Sequence, residues 1–210
     1  MTHMHTQSTQ NVSTQNVNAM SMREKVVKAL LAAGLTSSLA VGGWFLTAQS
    51  EAPNGVPILP VYLDTGNITT ACLGSTRDLQ GNRLKLGTKY TEEQCVDMFV
   101  KDYIEHYRLM KQSYKGQFMT GWQEAAITDF VFNKGIGNFR SSTLLKKLKA
   151  QQHEEACLEL TKWIFGRNTK GEKVVIKGLI NRATKEYQWC MGEVPYEAKT
   201  LKEVIDSKGL

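Results

Sequence analysis

A chain of 210 residues holds one ordinary domain with extra segments, or at most two small ones. Hydrophobic residues at 41% and charged residues at 22% exclude a disordered polymer. The net charge of +6 comes without a block of like charge or an aromatic-rich basic stripe, so a nucleic-acid partner has no support.

Residues 1–21 are rich in Gln, Asn, Ser and Thr and carry STQNV twice, at 8–12 and 13–17. Such a stretch buries too little apolar area to order itself. With the cations just after it, it reads as a polar, basic cytoplasmic leader over 1–28.

Residues 29–48 (ALLAAGLTSSLAVGGWFLTA) hold no charge and come after Arg23, Lys25 and Lys28. Their length matches a membrane-crossing helix, and the basic flank keeps the N-terminus cytoplasmic. Twelve of the twenty are Ala, Gly, Ser or Thr, which makes insertion marginal. The segment reads as a single-pass anchor helix able to leave the bilayer. A cleaved signal peptide competes, but the run is long for one and Leu46-Thr47-Ala48 puts a large residue where a small one is preferred. A buried soluble helix competes too, although no polar face is evident. Anchor and signal both send the rest of the chain to the periplasm.

Cys72, Cys95, Cys157 and Cys190 form no CxxC, which argues against a zinc or redox motif. In an oxidising compartment they allow three pairings, and four buried thiols remain the alternative.

A Gly/Pro-rich lead-in (Pro53 to Pro60) precedes alternating, β-branched stretches at Val61–Cys72 and Arg83–Leu86, the first interrupted by turn residues 64–67. This predicts a small antiparallel sheet, and the rest of the domain after it is expected to be helical. Thr91 with Gln94 and Thr120 with Gln123 have capping-box spacing, and Cys95, Phe99, Tyr103, Tyr107 and Met110 fall at helical intervals. Shorter helices are expected near Ser142–Leu148, Glu155–Phe165 and Leu179–Cys190. The class is α+β, with a globular domain over 51–193 and a peripheral charged tail over 194–210.

The ordered pieces Tyr62-x-Asp64, Thr70-Ala71-Cys72-Leu73-Gly74-Ser75-Thr76, the stretch Phe132 to Phe139 (FNKGIGNF) running into Ser141 to Leu148 (SSTLLKKL), Trp163 and Gly178 to Arg182 (GLINR) resemble the phage-type lysozymes of glycoside hydrolase family 24. The likeness spans about 55–191, nearest to lambdoid endolysins with a signal-anchor-release segment. It implies a lysozyme-like fold, a small sheet and then a helical lobe, behind the membrane-inserting helix. It also implies an E-x8-D-x5-T catalytic set. Asp64 would activate the attacking water and Thr70 would hold it, with the family's five residues between them. Gly55 stands where the family's general-acid Glu belongs, and matching Asn54-Gly55-Val56 to that motif gives Asn54; neither carries an acid. Glu51, directly after the apolar segment, is the carboxylate that a bulging lead-in loop could bring to the cleft. Arg182 would orient that acid, and Asn133, Gly135 and Gly137 would form a tight loop shaping the substrate groove.

The implied activity is a muramidase that cuts the β-1,4 bonds of peptidoglycan for host lysis by an inverting route. It needs no metal or cofactor and works as a monomer at the inner membrane and then in the periplasm. The alternatives are a lysozyme-fold glycan binder that has lost catalysis, and a lytic transglycosylase.

Overall fold

The computed structural model describes residues 20–52, 55–64, 66–168 and 170–209; most of the leader, Pro53, Asn54 and Thr65 lie outside them. The apolar segment expected as one helix is folded into two pieces. Helix α1 (Met22–Ala32) starts from a reciprocal capping box between Ser21 and Glu24. It ends at Ala33, after which Gly34 takes a φ of +85°, a left-handed conformation open to glycine. Thr36 then caps α2 (Ser37–Gly42) by accepting from the Leu39 N–H. The chain runs on through a π-helical turn (Gly43–Ala48) into the short α3 (Gln49–Glu51). Among the described residues, no helix is long and apolar enough to cross a membrane. A left-handed glycine just past the C-cap and then an N-cap threonine break the helix where apolar composition alone predicts continuity.

These pieces pack into the protein. Leu30, Leu39, Val41 and Leu46 are buried, each worth about 1.5–3 kcal/mol relative to exposure. Small residues permit the approach. A Cβ at Gly42 would stand 2.5 Å from that of Ala125, and one at Gly43 would stand 2.6 Å from Leu30 and 3.3 Å from the Tyr103 ring.

Strands β1 (Ile58–Leu63) and β2 (Thr69–Cys72) pair antiparallel, with Tyr62 opposite Thr70. Arg83–Leu86, expected as a strand, contributes only a single bridge from Arg83 to Arg77. Gly81 and Gly87, both at positive φ, bound it too closely for a ladder.

The helical lobe comprises α4 (Glu92–Ser113), α5 (Gly121–Ser141), α6 (Thr143–Lys149), α7 (His153–Leu160) and α8 (Lys177–Cys190). The Thr91–Gln94 capping box forms in full. The one expected at Thr120 forms by half: its hydroxyl accepts from the Gln123 N–H, but the buried Gln123 side chain accepts from the Met119 N–H instead.

Two further expectations need correction. Helix α7 stops at Leu160, and a hairpin interrupts the helices, with β3 (Phe165–Arg167) antiparallel to β4 (Lys173–Val175). Its turn is built by Asn168, whose Oδ1 accepts from the N–H groups of Lys170 and Glu172, and by Gly171 at a φ of +79°. The C-terminal stretch is helical as well: α9 (Tyr196–Ser207) buries Ala198 and Ile205 and packs on α2.

Disulfides join Cys72 to Cys95, tying β2 to α4, and Cys157 to Cys190, tying α7 to α8. Each restricts the unfolded chain, which for loops of this size is worth about 2–4 kcal/mol.

Candidate active site

Asp64 leaves β1 at the start of a tight turn. Its Oδ1 accepts from the N–H groups of Gly66 (2.8 Å) and Ile68 (2.9 Å), and Asn67 turns the chain at a φ of 62°. Its Oδ2 faces the Thr70 hydroxyl at 3.5 Å; that hydroxyl also lies 3.1 Å from the Ile68 carbonyl oxygen. The turn therefore holds the carboxylate by Oδ1, and Oδ2 faces Thr70.

Glu51 is the last residue of α3. Gly74, four residues beyond Thr70, has a φ of +85°, and a Cβ there would lie 2.8 Å from Glu51 Oε2. Only a glycine at 74 admits this carboxylate beside the sheet. Tyr62 lies near both acids. Burial pushes its hydroxyl up, and the charges of Asp64 and Glu51 add to the shift. Gly55, which carries no acid at the family's Glu position, is at a φ of +70°, and a Cβ on it would stand 2.5 Å from the Trp44 ring. No side chain fits there.

Arg182 on α8 meets Glu51. Its Nη1 donates to Glu51 Oε1 at 2.5 Å, and its other edge grips Asp129 on α5, with Nη2 to Oδ1 at 2.7 Å and Nε to Oδ2 at 3.1 Å. Glu51 is 23% exposed, Arg182 11% and Asp129 wholly buried. Burial alone would lower Arg182, but the charges of Asp129 and Glu51 overcome it and hold the guanidinium above its ordinary value. The Thr47 hydroxyl, from the π-helical turn, donates to Asp129 Oδ1 at 2.8 Å. The same turn frees the Phe45 carbonyl, which accepts from Lys185 at 3.1 Å.

Sequence reasoning misses Asp129, Glu186 and Thr47. The spacing of Arg182 and Glu186, four residues apart on one helix, carries a signal; nothing in the sequence marks Asp129 as Arg182's partner. Asn133, Gly135 and Gly137, expected in a tight loop, lie within α5, which kinks at Gly135 (φ 80°, ψ 154°). The glycine pattern marks a bend between helical segments. Lys134 beside it is pushed down by burial and feels Glu186, Arg182 and Asp129, so the kink borders the charged cluster. Among the described residues, no group of three His, Cys, Asp or Glu side chains is arranged to hold a metal.

Glu186 is fully buried, and its Oε1 has no hydrogen-bond partner. Burial raises its carboxyl well above 4.5, and the Asp129 charge adds to this against Arg182. A raised native value means that stability is full below the unfolded value and is lost as pH climbs toward the folded one. Glu186→Gln, which keeps the shape without the acid, is expected to raise stability at pH 7 and to change little at pH 4. Thermal melts of both proteins across that range check it.

A family model described as Phage lysozyme matches residues 58–186. The SAR-endolysin of Pseudomonas phage phiKMV is 30% identical over 170 residues, 81% of this chain and 93% of its own length. The SAR-endolysin of Enterobacteria phage P21 is 29% identical over 166 residues, 78% of this chain and 94% of its own. Among solved structures, the endolysin from Escherichia coli O157:H7 phage FAHEc1 superposes with a TM-score of 0.66 at 25% identity, covering 74% of this chain and 94% of that one. The active form of P1 phage endolysin Lyz gives a TM-score of 0.65 at 18% identity, with 85% and 97% covered, and shares the fold.

Proposed function

Because the chain belongs to the phage lysozyme family, we infer that it is an endolysin that hydrolyses the β-1,4 glycosidic bonds of peptidoglycan during host lysis. The observation that carries its mechanism is the pair of carboxylates flanking one sheet edge, Glu51 against Gly74 and Asp64 against Thr70. Glu51 protonates the departing glycosidic oxygen. Asp64 Oδ2, with the Thr70 hydroxyl, holds a water on the other side of the sugar ring and takes its proton as it attacks, an inverting displacement. Arg182 orients Glu51.

The protein reaches its substrate from the inner membrane. Residues 29–48 are uncharged, sit behind a basic flank and are rich in small residues, and relatives matching most of the chain carry the name SAR-endolysin. The segment inserts with its N-terminus in the cytoplasm and then leaves the bilayer, and the domain acts in the periplasm as a monomer. The bent, buried form of 29–48 is that of the released protein. Two disulfides suit an oxidising compartment.

The purified chain is expected to clear a peptidoglycan suspension and to leave reducing N-acetylmuramic acid ends, with Asp64→Asn slower by about 10². Anhydro-muramic ends would instead make the protein a transglycosylase. A suspension that stays turbid while the protein binds it would make it a glycan binder.

A further inference from the structure

On the assignment of Glu51 as proton donor, we propose that Asp129 is a positioning residue for the reaction: it occupies one edge of Arg182, aims the remaining Nη1 at Glu51, and cancels the charge that Glu51 would otherwise meet. Besides its contact with the buried Glu186 carboxyl, Asp129 makes three contacts that serve that end. Both of its oxygens accept from Arg182, and Oδ1 also accepts from Thr47, with no exposure to water. Thr47 lies one helical turn before Glu51 on the same continuous stem, so Asp129 fixes both the guanidinium and the backbone that carries the acid.

The chemistry explains why such a partner is needed. A general acid must carry its proton when substrate arrives, and a lone cation in contact with it favours the ionised form. Asp129 makes the buried Arg182 pair neutral overall. The other groups around the cluster do not replace it. Glu186 on α8, 3.8 Å from Arg182 Nε, has its carboxyl pushed up by burial and then by the Asp129 charge. Lys134 on α5 and Lys185 on α8 are both pushed down by burial. Tyr103 on α4 and Tyr62 on β1 are pushed up by burial. Asp64 is committed to its turn through Oδ1. Asp129 is therefore the anion that balances Arg182.

The test is the pH profile of kcat/KM on peptidoglycan for the full chain. Asp129→Asn in a Glu186→Gln background, which removes the charge and keeps Glu186 from replacing it, is expected to move the alkaline limb down by about one pH unit while acid-side activity stays near that of Glu186→Gln alone. In a folded variant, a limb in its original place, or a uniform loss at every pH, overturns the proposal. A buried arginine without its carboxylate could leave that variant unfolded. The double variant Asp129→Asn with Arg182→Gln restores neutrality and is read in the same way. Its limb at the wild-type position supports cancellation, and a limb raised by about a unit shows that Arg182 acted uncancelled and overturns it. Glu51→Gln, run alongside, separates the two levels: if it retains wild-type activity, the donor assignment fails, whatever Asp129 does.

Discussion

Glu51→Gln is expected to lower turnover on peptidoglycan by about 10²–10⁴-fold, the usual worth of a positioned general acid, with little change in melting temperature. Glutamine fills the same space against Gly74 and still offers an oxygen to Arg182 Nη1. What it lacks is a proton to give. Arg182 keeps its bidentate hold on Asp129 in the variant. A partly exposed ion pair such as Glu51–Arg182 adds little to stability. Steady-state rates beside a thermal melt separate lost chemistry from lost fold. Activity within a few-fold of wild type would remove Glu51 from the donor's role.

The second large effect is expected at Gly42. A Cβ there would come within 2.5 Å of Ala125 Cβ, so Gly42→Leu pushes α2 away from α5. Overpacking of this kind costs about 1–3 kcal/mol or more, and leucine for glycine also makes membrane insertion more favourable by a few tenths of a kcal/mol or more. Both changes favour the bilayer over docking. Together they shift the balance by roughly a hundredfold toward the membrane, at about 1.4 kcal/mol per factor of ten. Adding Leu at Gly43, which would meet Leu30 and Tyr103, and at Gly34, which needs its positive φ, strengthens the bias. Cell fractionation and lysis timing check this outcome: the variant should stay with the membrane, and lysis should be delayed or absent. Unchanged timing with a soluble variant discards release as the activating step.

Local signals account for much of the architecture. Thr91 and Gln94 mark the start of α4, and the period of Cys95, Phe99 and Tyr103 marks its buried face. The Asp64–Thr70 spacing finds a real proximity, because a short turn closed by Asp64 itself leaves little freedom between them. The hairpin at 165–175 is missed because its strands are three residues each, too short for an alternating pattern to declare itself. The glycines of 133–137 signal a sharp change of direction, but not whether a loop or a kink supplies it. Asp129 is hidden for a different reason. Its partner lies 53 residues away, and one aspartate on an otherwise apolar helix face gives no hint of which cation will meet it. Glu51 is reached by elimination of neighbours that carry no acid, and only the fold supplies its contacts.

The break at Gly34 gives residues 29–48 a doubled form, distinct from the straight helix proposed for the bilayer. Drawn out as one unbroken helix, these twenty residues would measure about 30 Å end to end, which sets Thr47 and Glu51 far from where α1 begins. Doubled back at Gly34, the same stem is held by Asp129 and Arg182 at its far end and by Lys185 near its middle. All of these holds fall on residues 45–51, so in the proposed membrane-inserted form they are lost together and Glu51 parts from Arg182.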